Sequence, residues 1–432
     1  MNMRAQLGLK RGSALLSLGV ALSVSVACGS DGDGTGNTAG TAASMAGTPA
    51  ASGSGGSAAG VAGAASAGSA SGGTAGASAG RAGAAGSAGV AGSAGSGGSS
   101  SGCSVSKTDD AQPMMLSQTG CIDMADPTKP APGLVPYSVR SPLWSDAATK
   151  ERFLRIPEGT KIHALDCAVD VDACKAPGLG GIGADEGHWI MPVGAVLVKS
   201  FSVEGKRIET RLLMRRSNLV WKGFSYEWND AGTEATLLAD NPDGKDKPVG
   251  AGTQIWHYPS RSECLDCHTR YAGSSLGPST AQMNSDYPYA EGAMNQVEKF
   301  KALGLFDAPP KAIPGYPDPF GADSVETRAR SYMQVNCSIC HRPGSGAGVG
   351  TLDLRFTTPF AQTFLCDPVE RDADKVKPFR LVPGDAAEST LSFRMHALDD
   401  MRMPKIGSNV VDTPGTMLID AWIDALPANA CD

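Results

Sequence analysis

Asp323-Ser-Val-Glu-Thr-Arg-Ala-Arg-Ser-Tyr-Met-Gln-Val-Asn-Cys337-Ser-Ile-Cys340-His341 decides how the last quarter of this 432-residue chain is read. Val325, Ala329, Tyr332 and Met333 recur at i, i+4, i+7 and i+8, the apolar stripe of a helix. Asp323 and Glu326 are the pair expected to cap its start. Such a helix delivers Cys337, Cys340 and His341 together at its far end. Further on, Thr413-Pro414 opens a run in which Met417, Leu418, Ala421, Trp422, Ala425 and Leu426 share a face until Pro427 stops it. Ser389 to Leu398 reads as a short helix between the two. Residues 323–432 are therefore expected to be all-α.

The Cys-x-x-Cys-His pattern occurs a second time, as Cys264-Leu-Asp-Cys267-His268. Two thiols three positions apart on one turn reach the two vinyl groups of one porphyrin as thioethers, and the adjoining His then falls beneath the iron. A redox dithiol gives no reason for His to follow both copies. A zinc knuckle needs its two Cys pairs closer together than these. The expected cofactors are two covalent haem c groups, one on Cys264, Cys267 and His268 and the other on Cys337, Cys340 and His341.

The N-terminus carries a different signal. Residues 1–13 hold only positive charges, and Ala14 to Ala27 is an apolar, small-residue stretch too short to span a bilayer, so 1–27 reads as a secretory signal peptide. Ser25-Val26-Ala27-Cys28 resembles a bacterial lipobox, with Ser25 where that pattern has Leu; the resemblance implies lipidation of Cys28 and membrane contact through that anchor alone. Gly29 after it resembles the outer-membrane sorting pattern. From Gly29 to Gly102, all but eight residues are Gly, Ala, Ser or Thr, a composition that cannot bury enough apolar surface to order itself. Residues 28–102 are expected to be a lipid anchor and disordered tether. The net charge is −7, and losing Arg4, Lys10 and Arg11 with the signal peptide leaves −10, which argues against nucleic acid as a partner.

Six Cys remain, an even number in an exported chain, so disulfides are expected. Cys167 with Cys174 closes a local loop. Cys103 with Cys121 and Cys366 with Cys431 follow by proximity, one of three ways to pair those four.

Residues 136–259 alternate with a period of two. Ile208, Thr210, Leu212 and Met214 face one way and Glu209, Arg211 and Leu213 the other; Val220, Lys222, Phe224, Tyr226 and Trp228 repeat the pattern, and Val193 to Val203 is a third strand. The fold class expected is α+β: an antiparallel β-rich domain over 103–307 ending in the first haem motif, a Pro-rich linker over 308–322 and the helical domain over 323–432. Trp221, Phe224, Tyr226, Trp228 and Trp256 are candidates for a haem wall or for ordinary strand packing.

Met401-Arg402-Met403-Pro404 lies between the two C-terminal helices. Here the sequence resembles cytochrome c: a helix into Cys-x-x-Cys-His, a Met-Pro loop and a closing aromatic helix. The resemblance implies Met403 as the second axial ligand of the haem on His341, with Met401, Met395 and His396 as alternatives. No such loop follows the first motif, where Met283, Met294, His188, His163 and His257 stand level and an open or water-filled site ranks above each. From Ser141 onward, through Ser141-Pro-Leu-Trp-Ser-Asp146, Pro192-Val-Gly-Ala-Val-Leu-Val-Lys199, Pro259-Ser-Arg261, Val335-Asn-Cys337 and Arg402-Met-Pro404, the chain resembles an uncharacterised bacterial family of secreted dihaem c-type cytochromes. The expectation is electron transfer between redox partner proteins, in the periplasm or tethered to the outer membrane. The alternative is a haem enzyme, peroxidase-like or acting on a small nitrogen compound, with an open iron at the first haem.

Overall fold

The computed structural model describes residues 102–432, apart from 109, 172–173, 175–185, 253, 346–351 and 370–376. The expected signal peptide, Cys28 and all of the tether but Gly102 lie outside the described residues. The segments expected as a β-rich and a helical domain share one compact unit.

Strands β1 (Val135–Pro136), β2 (Thr149–Arg155), β3 (Val196–Val203), β4 (Lys206–Arg215), β5 (Trp221–Trp228) and β6 (Ala235–Leu237) form one antiparallel sheet in sequential order. The two-residue turn between β3 and β4 is Glu204-Gly205, both at positive φ (49° and 76°), which suits the twist of a tight hairpin. Register sorts the side chains into two faces. Phe153, Val198, Leu212 and Phe224 are paired across β2 to β5 and bury against Leu116, Tyr226, Trp228 and the Cys103–Cys121 segment. On the reverse face the paired row is Leu154, Leu197, Leu213 and Gly223, whose leucines join Ile162, Trp189, Met283 and Phe300. A hairpin of β7 (Lys245–Val249) and β8 (Gln254–Tyr258) adds Trp256 and Tyr258 to Phe201 and Val203. The α+β class and the three strands read from alternation are thus present.

Helices α1 (Arg261–Cys267), α2 (Thr280–Met283), α3 (Gln296–Ala302), α4 (Val325–Asn336), α5 (Thr390–His396) and α6 (Thr413–Asp424) follow the sheet. Helices α4 and α6 pack through Tyr332, Met333, Leu418, Ile419 and Trp422. The cap of α4 differs from expectation. Ser324 is the N-cap and its hydroxyl accepts from Thr327 N at 3.2 Å, while Asp323 contributes only its carbonyl, to Arg328. A Ser oxygen has the short reach that the N3 amide needs. Glu326 remains in the first turn, where the helix dipole favours it.

The disulfides are Cys103–Cys121, Cys167–Cys174 and Cys366–Cys431, the pairs expected, and the four Cys of the two Cys-x-x-Cys-His segments stay unpaired. Among the described residues no helix is long and apolar enough to cross a membrane. Buried hydrogen bonds join sheet segment to helices: Ser141 Oγ donates to Ser331 O at 3.0 Å, and Trp144 N donates to Asn336 Oδ1 at 2.8 Å.

Candidate functional site

Helix α1 begins in a complete capping box: Ser260 Oγ accepts from Glu263 N at 3.1 Å and Glu263 Oε2 accepts from Ser260 N at 2.8 Å. That fixed start sets Cys264 and Cys267, one turn on, against β5. A Cβ at Gly223 would stand 2.7 Å from Cys264 Sγ, so only glycine lets the thiol approach the sheet this closely. His268 Nδ1 donates to Ser274 O at 2.7 Å, which leaves Nε2 as the free lone pair. Burial holds the imidazole neutral, with its pKa lowered to about 4. Burial also pushes Cys264 up to about 11 and Cys267 up to about 12, the opposite of an activated dithiol.

These groups open on a cleft of about 1510 Å³, part of it continuous with solvent. Its far wall is the sheet, presenting Arg152, Leu197, Lys199, Arg211, Leu213 and Gly223. Ile339 and Arg342, from the second motif, close another side.

At the second motif, α4 ends on Cys337, whose carbonyl accepts from Cys340 N at 3.1 Å and His341 N at 2.9 Å, a turn that keeps the three side chains together. Burial raises Cys337 to about 12 and lowers His341 to about 4. His341 Nδ1 is buried without a hydrogen-bond partner. Arg342 reaches across to the loop after the first motif, donating to Tyr271 O at 2.9 Å, and lies 3.8 Å from the buried Glu186 carboxylate. The Coulombic influence of Cys340 on Cys267 marks how near the two motifs come.

The second-ligand candidates separate by position. Met403 is half-buried and its N–H donates to Arg394 O at 2.8 Å; Arg394 Nε in turn donates to Met401 O, and the same guanidinium depresses the His341 pKa after burial has done most of that work. Met395 is in the helical core, and exposed His396 is held by Asp420 at 2.9 Å. Around the first motif, Met283 is buried in the sheet's second core, Met294 is exposed, and His163 is bound by Asp170 and Asp307. None of these three lines the cleft; His188 and His257 do. Each is already engaged, His188 with Glu186 at 2.7 Å and His257 with Asp246 at 2.7 Å and Glu263 at 3.2 Å.

Of the proposed aromatic wall, only Trp256 lines the cleft, its Nε1 donating to Glu209 Oε2 at 2.9 Å. Phe224, Tyr226 and Trp228 lie in the opposite core because strand alternation points them away, whereas Trp221 is on the cleft's own face and packs beside Leu213. Sequence reasoning missed the cationic side chains Arg152, Lys199 and Arg211. Their signal was a Lys inside the apolar run Val196 to Val203, and an Arg before Phe153-Leu154.

Among the described residues no three or more His, Cys, Asp or Glu converge as a bare metal-ion site. No family model, curated protein or solved structure matches this chain.

Proposed function

We propose that this chain is an exported dihaem c-type cytochrome that passes electrons between redox partner proteins outside the inner membrane, with 323–432 as its cytochrome c-like part. The observation that carries the reading is the state of the two Cys-x-x-Cys-His segments: their four thiols stay free while the other six Cys from Cys103 onward are all in disulfides. Each segment also holds a buried, neutral His. Haem c would be held by Cys264, Cys267 and His268 and by Cys337, Cys340 and His341, with Met403 completing the second site, and would supply a one-electron couple. The chain's own residues do the rest. Ser274 O orients the His268 imidazole, Leu197 and Leu213 keep water off the cleft floor, and Arg342 ties the second motif to the first. Three disulfides support an oxidising, exported setting, in which Cys28 would anchor the chain through lipid at the outer membrane.

One observation favours the second reading, a haem enzyme with an open first iron. The two His that line the first cleft are both held by carboxylates, and no Met expected there lines it. Intact mass and visible spectra of the purified chain test both readings. Two haem additions with one high-spin, cyanide-binding iron support the enzyme; two low-spin irons without ligand uptake support the carrier. A mass without haem refutes both.

A further inference from the structure

Arg152, Lys199 and Arg211 stand side by side on the sheet. The register pairs Arg152 on β2 with Lys199 on β3, and Lys199 with Arg211 on β4, and all three line the first cleft. Like charges directly opposite one another repel, and partial burial in a protein wall raises that cost. Arg211 is neutralised within the chain: Glu209 takes it in a fork at 2.7 and 2.8 Å. Among the described residues, neither Arg152 nor Lys199 is ion-paired. Lys199 Nζ sits 4.9 Å from the Phe201 ring centroid, and Arg152 reaches Lys150 O at 3.5 Å. Lys150 lies one row along, its Nζ donating to Leu143 O at 3.0 Å, and burial lowers its pKa to about 7. Burial lowers the pKa of Lys199 well below its ordinary value and that of Arg152 as well. The adjoining row on the same face, Leu154, Leu197 and Leu213, is wholly apolar. The wall is thus divided into an apolar strip beside Gly223 and a strip of basic side chains, two of them without an ion-pair partner among the described residues.

We propose that Arg152 and Lys199 form an oxyanion site in the first cleft, taking a carboxylate or a small oxyanion. The proposal rests on the reading of a haem at Cys264 and Cys267. Two sources carry this chemistry: the propionate carboxylates of that haem, and a small anion from solution.

Holoprotein of the wild type, Lys199→Gln and Arg152→Gln separates them, with intact mass confirming that both haems are attached. In one arm the ferric protein is titrated with nitrite and followed at the Soret band. A site for external anions binds nitrite, and each variant weakens it about tenfold or more. In the other arm the midpoint potential of each haem is measured against pH. A propionate site leaves nitrite unbound, and each variant gives the first haem a pH-dependent potential between about pH 5 and 8, as a carboxylate that has lost its cation titrates higher. The second haem is unmoved. Nitrite response and pH profiles that match wild type in both variants overturn the proposal. Should either variant lose the first haem, Lys199→Arg and Arg152→Lys are substituted: recovery of that haem supports the site, and its continued loss overturns it. A wild-type mass without haem instead refutes the underlying reading.

Discussion

At the scale of single residues, the site turns on atoms that are absent as much as on those present. Gly223 carries no Cβ where one would meet Cys264 Sγ at 2.7 Å. Gly223→Val is expected to push α1 off the sheet and prevent attachment at the first motif while sparing the second, which intact mass reads as one haem addition instead of two. The two Cys-x-x-Cys-His segments and the Cys167–Cys174 pair were legible because their information is local, whereas Cys103–Cys121 and Cys366–Cys431 were one of three ways to pair those four. Arg152, Lys199 and Arg211 were not legible. They come from three strands and meet through register, which no window along the chain contains. That His188 and His257 line the first cleft while Met283 does not likewise needed tertiary contacts, since a buried Met and a cleft-lining His look alike in sequence.

At the scale of elements, the hairpin β7–β8 is tied to α1 by His257, which contacts Asp246 across the hairpin and Glu263 in the helix. Burial opposes its proton, but the hydrogen bonds to the two carboxylates outweigh it, so its pKa is raised above the ordinary value. The folded state therefore holds this proton more tightly than the unfolded chain. The resulting stability is complete below the unfolded pKa of about 6.5 and is lost as pH rises through the higher folded value. His257→Gln is expected to lower the thermal midpoint at about pH 5 and to have little effect at about pH 9, the exposed part of the pair limiting the loss to about 1 kcal/mol. An equal loss at both pH values contradicts the bridge. The strands themselves were readable from alternation because along β4 and β5 one face is mainly apolar, with Ile208, Leu212, Met214, Phe224, Tyr226 and Trp228 on it. The start of α4 was misread by one residue, since Asp323 and Ser324 are both good caps and the backbone chooses between them. Ser324→Ala is expected to cost about 1 kcal/mol in urea unfolding, and Asp323→Ala much less.

At the scale of the whole molecule, two segments with different periodicities form one compact unit, and polar bonds across their boundary explain how. Asn336, buried at the end of α4, accepts from Trp144 N at 2.8 Å and donates to Pro142 O at 3.3 Å and Tyr332 O at 3.2 Å. Trp144 Nε1 donates to Val410 O, and Val410 N donates to Asp146 Oδ1, both at 2.9 Å. The sequence shows the residues of Ser141 to Asp146 but not that they dock on helices nearly two hundred positions later. Replacing Asn336 with Ala would remove its bonds to the Trp144 N–H and the Pro142 carbonyl at a part-buried joint, at a cost of about 1 kcal/mol. Because the same side chain serves both segments, that loss should be felt by both. In the Asn336→Ala protein, unfolding followed by far-ultraviolet dichroism, which reports the sheet, and by visible absorption of the second haem should shift to lower temperature together and remain coincident. A shift confined to the haem signal would mean that the segments unfold separately and that the joint does not couple them.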